Sequence, residues 1–400
     1  GVRNTVFGYQ AGYTGDFSYN TAFGYQALQN IGASYNTAFG YLAGQGTGGT
    51  GSYNVAVGVG AVQSFNTGSS NVGVGYGAAG STYSGSSNTA IGDLSLNQNS
   101  SGSTNTAVGS KSLYKTTGSD NSALGASALE NNTTGFSNAA FGIAALYTNI
   151  SGYENAAFGV NALYSNTGNN STAIGAYAAY KNTSGTITAI GAYVGYANTT
   201  GTENVAVGGS GSSSIALRYN TTGSYNTAIG NGALRSNTTA SNNTAVGYQA
   251  AYSNTTSTFI TAVGYQSLYS NTTAVGYNTG LGGRTLYSNT TGQLNTAAGE
   301  SALYFNTTGS SNTAFGEESL KSNTTASNNT AVGYQAGYSN TTGSPIDAFG
   351  YGALTSNTTG NYNSAFGLQA LRQNTTGNSN IAIGSQALLS NTTASNNTAV

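Results

Sequence analysis

The sequence predicts an all-β protein: a parallel β-solenoid (β-roll) of about 23 turns, with a 16–18-residue repeat and two short strands per turn. Three observations predict this fold. The motif Asn-Thr-Ala-apolar-Gly recurs along the chain, and its columns keep the same chemistry from turn to turn. The composition, with 60 glycines and abundant Asn, Thr and Ser, leaves no long run of helix formers.

The first strand of each turn is predicted in the Asn-Thr-Ala-apolar run. Alternation along a strand places Asn and Ala on one face, and Thr and the large apolar residue on the other. Asn stands four residues before the motif glycine in all turns but four, so its stacked side chains are expected to form a hydrogen-bonded ladder at a corner. The predicted ladder includes Asn20, Asn36, Asn54, Asn88, Asn105, Asn226, Asn243, Asn312 and Asn329.

The motif glycine is predicted to turn the corner, because glycine adopts positive φ without steric cost. The second strand is predicted in the x-Ala-Leu-Tyr-Ser segment that follows, and Asn-Thr-Thr-Gly-Ser supplies turn residues. Neither strand can bury its apolar face alone, so the turns are expected to stack. The corner glycines include Gly24, Gly40, Gly58, Gly92, Gly247 and Gly333.

Residues 1–400 are therefore predicted to form a single continuous array, a fragment of a longer fibre, with a loop insertion near residues 209–214. Strands stacked about 4.8 Å apart would give a rod on the order of 110 Å long. The alanine column fits two arrangements equally well. It lines the interior of a thin coil, or it forms a flat face against another chain.

The composition argues against several classes of function. Only 5% of residues are charged and the net charge is −1, so no basic patch indicates nucleic acid. No apolar run approaches the roughly 18 residues that span a membrane. Cys and His are both absent, which excludes disulfides, thiolate metal sites and the familiar nucleophile–base pairs. We expect no enzyme activity, no metal and no cofactor.

Three short motifs suggest chemistry but have simpler explanations. Glu317 and Glu318 are adjacent, yet neighbours on a strand point to opposite faces, which favours two solvated acids. Gly75-Tyr-Gly77-Ala-Ala-Gly80 fits the dinucleotide-binding pattern, but no helix is predicted to follow it. Many Asn-Thr-Thr triplets match the N-glycosylation pattern, although turn chemistry alone requires these residues. The candidate glycosylation sites are Asn132, Asn198 and Asn374.

From Asn54 to Ala61 the Ala, the apolar residue, the Gly and the later small residue have the spacing S-V-A-I-G-x-x-S/A. The repeat therefore resembles the head repeats of YadA-like trimeric autotransporter adhesins, which have this form. That resemblance implies a left-handed parallel β-roll, three chains side by side, and display at a bacterial surface to bind host matrix or other cells. The unit here is longer, and Thr often replaces the valine. Similar arrays also resemble the shafts of phage tail fibres. The closest matches are Asn54, Val55, Ala56, Val57, Gly58 and Ala61, and Ile381, Ala382, Ile383, Gly384 and Ala387.

The sequence thus favours a structural or adhesive extracellular fibre, at a cell surface or on a virion, that presents a repetitive Asn/Thr/Tyr surface. The expected partners are further copies of the chain, as a trimer or filament, and a cell-surface glycan or host matrix. Two alternatives stay open. The Thr columns are compatible with an ice-binding solenoid, and the tail-fibre resemblance with a fibre that binds polysaccharide.

Overall fold

The structure is a computed structural model that describes residues 2–13, 17–64, 66–209, 214–272 and 276–400. Within these ranges the protein is all-β, with short strands and turns and no helix. The chain divides into two compact units, Gly1–Thr200 and Gly201–Val400. Each unit is a parallel β-solenoid with one turn about every 17 residues, as the repeat predicts.

In the unit Gly1–Thr200, each strand pairs in parallel with the next strand along the chain, without a shift in register. Identical columns therefore face each other, as Ala22 faces Ala38. The strands are β1 (Thr5–Phe7), β2 (Thr21–Phe23), β3 (Thr37–Phe39), β4 (Val55–Val57), β5 (Val72–Val74), β6 (Thr89–Ile91), β7 (Thr106–Val108), β8 (Ser122–Leu124), β9 (Ala139–Phe141), β10 (Ala156–Phe158), β11 (Thr172–Ile174) and β12 (Ile187–Ile190).

The unit Gly201–Val400 repeats this pairing, and Asp347 takes its place in the threonine column opposite Thr330. Its side chain is half-buried, so the threonine face is partly exposed there. The strands are β13 (Asn204–Val207), β14 (Thr227–Ile229), β15 (Thr244–Val246), β16 (Thr261–Val263), β17 (Thr279–Leu281), β18 (Thr296–Ala298), β19 (Thr313–Phe315), β20 (Thr330–Val332), β21 (Ile346–Phe349), β22 (Asn363–Phe366), β23 (Ile381–Ile383) and β24 (Thr398–Ala399).

The alanine column lines the interior of each coil, which decides between the two arrangements that the sequence left open. Ala107 and Ala245 are 0% exposed, as are most of the alanines at the same position in other turns. The residue four positions after the corner glycine, usually Leu as at Leu113, packs beside them and is also fully buried. Burial of such a side chain contributes about 1.5–3 kcal/mol. The small alanines keep the interior thin, and the large apolar residue of each strand points outward.

The prediction of a second strand in each turn is wrong. After the corner glycine the backbone alternates between right- and left-handed conformations, and the second and fourth residues have positive φ. Gln26 and Leu28 both have φ of 52°. A side chain in this region costs roughly 1 kcal/mol or more, so propensity alone predicts an extended strand instead.

Hydrogen bonds between turns explain this conformation. The amide of Gln26 donates to Tyr9 O in the preceding turn, and the amide of Leu28 donates to Ala43 O in the following turn. Alternate residues therefore bond in opposite directions along the coil axis. Each turn is tied to both neighbours, which over-determines the left-handed residues.

The predicted insertion near residues 209–214 lies mostly outside the described residues. Its flanks are described, and Gly209 and Ile215 form an isolated antiparallel bridge. The next strand, β14, returns to the register of β13, with Ala206 opposite Ala228. The insertion therefore leaves the pairing of turns unchanged.

Candidate functional site

The first asparagine ladder, formed by the residues four positions before the corner glycine, bonds mainly to the backbone of the next turn. Asn36 Oδ1 accepts the backbone N–H of Asn54 at 2.9 Å, and Asn36 Nδ2 donates to Gly51 O at 3.0 Å. Asn329 differs, because its Nδ2 donates to Asn323 Oδ1 at 3.2 Å. All nine predicted members are at most 6% exposed: Asn20, Asn36, Asn54, Asn88, Asn105, Asn226, Asn243, Asn312 and Asn329.

A second asparagine ladder runs through the turn segment, and the sequence analysis missed it. Asn306 Nδ2 donates to Asn289 Oδ1 at 2.8 Å in the preceding turn and to Gly309 O at 2.9 Å in its own turn. Its Oδ1 accepts from Asn323 Nδ2 at 2.8 Å. The signal was present in the Asn-Thr-Thr triplets, which were interpreted only as turn residues and possible glycosylation sites.

The three candidate glycosylation sites belong to this second ladder. Asn132, Asn198 and Asn374 are each 0% exposed. Their Nδ2 atoms, where a glycan would attach, donate instead to polar atoms inside the coil. Asn132 bonds to Thr116 Oγ1 at 3.0 Å, Asn198 to Asn182 Oδ1 at 2.7 Å and Asn374 to Asn357 Oδ1 at 2.9 Å. The folded coil therefore does not offer these nitrogens for modification.

The corner glycines lie where successive turns approach each other closely. Gly247 has φ of 136°, and a Cβ on it would lie 2.4 Å from Gly264 O. Both the backbone conformation and the lack of space therefore require glycine. The predicted corner residues share this geometry, with φ between 126° and 138° and the next turn's backbone within 2.8 Å of the added atom: Gly24, Gly40, Gly58, Gly92, Gly247 and Gly333.

The outer face of each coil consists of the residues one and three positions before the corner glycine. In β19 these are Phe315, which is 43% exposed, and half-buried Thr313. Because the strands stack in register, the face carries one row of threonine-like residues and one row of large apolar residues. The rings of Phe23 and Phe39, for example, stack with centroids 4.8 Å apart. Each unit therefore presents a regular and strongly apolar surface.

Tyrosine rings form further rows outside the coil. Tyr252, Tyr269, Tyr287 and Tyr304 stack with centroids 5.1–5.2 Å apart. Arg235 continues this row, with its guanidinium carbon 5.2 Å from the Tyr252 ring centroid. Burial, together with the neighbouring phenols, raises the pKa of Tyr269. Stacking covers the ring faces, so these rows present edges and hydroxyl groups to the solvent.

The two adjacent acidic residues lie outside the strands. Glu317 and Glu318 follow β19 and lie in the corner segment, so the expectation that they alternate along a strand is wrong. Glu318 accepts from Lys321 Nζ at 2.6 Å and from Gln335 Nε2 at 2.7 Å, and these bonds lower its pKa. Among the described residues, no three His, Cys, Asp or Glu side chains converge on a possible metal position. No helix long and apolar enough to cross a membrane occurs in the same ranges.

Comparison with protein-family models gives no match for this chain. Comparison with proteins of curated function also gives no match. The function is therefore argued from the surfaces themselves.

Proposed function

We propose that this protein is a structural segment of an extracellular fibre, and that copies of the chain associate through the outer face. The solenoid is a repeat scaffold in which each turn is held by the next. The observation that carries the proposal is the outward row of large apolar side chains, represented by Phe39 (55% exposed), Leu124 (47%) and Phe315 (43%). Contiguous apolar surface of this kind marks an interaction site.

The area of the outer face suits a stable contact. In each turn the outer face exposes roughly two-fifths of a large apolar side chain of about 150 Å², together with part of a threonine. Summed over the turns of one unit, the exposed area of this face is on the order of 800 Å². A standard interface buries about that area on each partner.

A second copy is the occupant whose spacing matches. Stacked turns repeat about every 4.8 Å, and another copy has the same period. Apolar rows from two copies therefore stay in register from turn to turn. A partner with a different spacing could not make the same contact at each turn.

Sedimentation velocity and light scattering on the full chain test the proposal. The chain has a mass of 39.9 kDa, and we expect a discrete multiple of it or an open filament. A trimer supports the adhesin or tail-fibre role, and filaments support a polymerising matrix fibre. A monomer at all concentrations contradicts self-association.

A matched pair of variants assigns the contact. Val263→Lys with Phe315→Glu places two charges on the outer face, three turns apart, and we expect dissociation. Asn242→Lys with Ser311→Glu adds the same charges to the exposed column five residues before the corner glycine. That column already holds Glu154 in another turn, so the particle mass should stay unchanged.

Ice binding is a second candidate, favoured by one observation in the unit Gly201–Val400. Seven consecutive strands carry threonine in the outer column, and a row of mainly aliphatic residues runs beside it. Thermal hysteresis in the wild-type chain that is lost in Thr279→Asp would support ice binding. The variant should fold, because Asp347 already occupies the same column in another turn. The absence of thermal hysteresis in the wild-type chain would contradict ice binding. The stacked threonines are Thr227, Thr244, Thr261, Thr279, Thr296, Thr313 and Thr330.

A further inference from the structure

A cleft interrupts the surface columns of the unit Gly1–Thr200, near the dinucleotide-like glycine motif. Its volume is about 440 Å³, within the range of small-ligand sites. The column two residues after the corner glycine carries Gln26 in an earlier turn but Gly60 and Gly77 here. The column five residues after it carries tyrosine in many turns but Gly80 here. The missing side chains open the surface, and the side chain of Asn97 lies over Gly80, with Nδ2 2.5 Å from where a Cβ atom would stand.

The walls of the cleft are aromatic. Tyr41 and Tyr76 lie in the column directly after the corner glycine, with Val59 between them, and all three line the cleft. Tyr76 is 61% exposed, and its ring stacks on no other ring in the described ranges. It therefore differs from the stacked tyrosines at positions such as Tyr269, whose faces are covered on both sides. An uncovered ring can pack against the apolar face of a ligand.

Two amide side chains supply polar contacts in the cleft. Asn97 Nδ2 donates to Gly77 O at 2.7 Å, which fixes the side chain and leaves a second amide hydrogen for a ligand. Gln63 Nε2 lies 3.3 Å from Gln45 Oε1, a longer bond than the 2.8 Å between Gln45 and Gln29, so a ligand displaces it more easily. Ser64 and Ser81 add hydroxyl groups.

No charged side chain lines the cleft among the described residues. Asp93 follows Tyr76 in its column but is not part of the lining. A ligand with a net charge would therefore find no counter-charge, whereas a neutral ligand with many hydroxyl groups would find amides that both donate and accept. We propose that this cleft binds a neutral saccharide, packed on Tyr76 and hydrogen-bonded by Gln63 and Asn97. The inference goes beyond the structural role and does not depend on self-association.

Calorimetry and saturation-transfer NMR on the full chain test the proposal, with four defined probes. Three are neutral hexasaccharides, of β-linked glucose, α-linked mannose and N-acetylglucosamine, and the fourth is an anionic hexagalacturonate. We expect saturable binding of at least one neutral probe and none of the anionic one. Binding of no neutral probe, or of the hexagalacturonate alone, overturns the proposal. Neither outcome alters the particle mass that tests the proposed fibre.

Filling the cleft should abolish this binding. Gly60→Gln with Gly77→Gln restores the residue that Gln26 provides at the same position, with φ of 52° against 62° and 58° at the two glycines. The matched control, Gly232→Gln with Gly352→Gln, makes the same change in the same column of the other unit and should bind as the wild type does. Equal binding by the filled variant and the control contradicts a site in this cleft.

Removing the ring of Tyr76 tests the proposed site independently of filling the cleft. Tyr76→Ala should weaken saccharide binding on the order of tenfold, which corresponds to the loss of about 1.4 kcal/mol of ring contact. The side chain is largely exposed, so the fold should persist. The control Tyr362→Ala removes a tyrosine that is 66% exposed in the other unit, and its affinity should match the wild type. Unchanged affinity in Tyr76→Ala overturns the assignment of this ring.

Discussion

Gly195 lies against the side chain of Ile187: a Cβ atom on Gly195 would come within 2.6 Å of Ile187 Cδ1. Most turns have Asn at the position of Ile187 and Leu at that of Gly195. In this turn the large side chain is Ile187, in the column that usually holds Asn. Gly195, in the column that usually holds Leu, leaves room for it. In this turn the interior therefore stays filled, because the bulk lost at Gly195 is supplied by Ile187.

We expect Gly195→Ala to destabilise the protein by roughly 1–3 kcal/mol through overpacking. Ile187→Val removes the offending methyl group and alone costs about 0.5–1.5 kcal/mol. Because the next nearest atom to the added Cβ lies at 3.7 Å, the double variant should be more stable than the two single changes predict. Denaturation midpoints, with amide exchange in this turn, measure the coupling. Strict additivity would show that the two residues are independent.

A corner glycine should be far less tolerant of substitution than a glycine two residues after a corner. Gly247→Ala forces a Cβ to within 2.4 Å of a backbone oxygen, which cannot move without separating two turns. A Cβ atom added in Gly352→Ala meets nothing closer than Thr355 Oγ1 at 3.2 Å. The backbone φ of Gly352, 64°, resembles that of the Gln residues in the same column. We expect a loss above about 4 kcal/mol for Gly247→Ala and about 1 kcal/mol for Gly352→Ala.

Thermal unfolding followed by circular dichroism compares these two glycine variants. Similar midpoints in both would show that positive φ alone, and not the approach of adjacent turns, selects glycine at the corner.

The repeat, the asparagine column and the corner glycines could be predicted because each is fixed by contacts between identical positions in successive turns. The conformation after the corner could not. Leu28 adopts φ of 52° only because hydrogen bonds from neighbouring turns hold it there, and no local propensity indicates this. The orientation of the strand was also undecided. Alternation places Ala245 and Val246 on opposite faces, but only the packed coil shows that the smaller one lies inside.

The second asparagine ladder shows a different limit of the sequence. Asn306 stands in an Asn-Thr-Thr triplet whose residues are already explained by turn formation. The sequence therefore contains no further indication that this side chain is buried. The sequence also does not predict the cleft beside Tyr76, because a glycine motif alone does not show where a surface column is interrupted. Its glycines become informative once the columns they interrupt are known to point outward.

Asn306→Ala should be strongly destabilising, since it breaks the second ladder in a fully buried position. Asn289 Oδ1 loses the amide that donates to it, and Asn323 Nδ2 loses one of its acceptors. Together with the cavity, we expect a cost of roughly 2–4 kcal/mol. The exposed Asn328→Ser serves as the control, because serine occupies the same column at Ser311, and it should stay within about 0.5 kcal/mol of the wild type.

Amide exchange locates the effect of the Asn306 variant. Faster exchange should be confined to the turns that contain Asn289, Asn306 and Asn323, because each turn contacts only its neighbours. Equal stability of Asn306→Ala and Asn328→Ser would show that the ladder contributes nothing.

The pair of Glu318 and Lys321 should give a small pH-dependent contribution to stability. The bonds from Lys321 and Gln335 lower the pKa of Glu318 below its ordinary 4.5, so its contribution is fully present above that pH and is lost as the pH falls through the folded-state pKa. The Glu318 bond raises the pKa of Lys321 above 10.5, so that contribution is present below pH 10.5 and is lost as the pH rises beyond it. About a fifth of each side chain is exposed, which limits the total to about 0.5 kcal/mol.

Glu318→Gln tests this electrostatic contribution. At neutral pH the variant should be less stable than the wild type by about 0.5 kcal/mol, and the difference should shrink as the pH falls well below 4.5. Glu317→Gln is the matched control, because this neighbouring carboxylate is exposed and Lys321 and Gln335 donate to Glu318 instead. Denaturation midpoints measured from pH 2 to 7, at about 20 mM salt to limit screening, give both curves. A constant difference between wild type and Glu318→Gln across that range would assign the effect to packing, and not to charge.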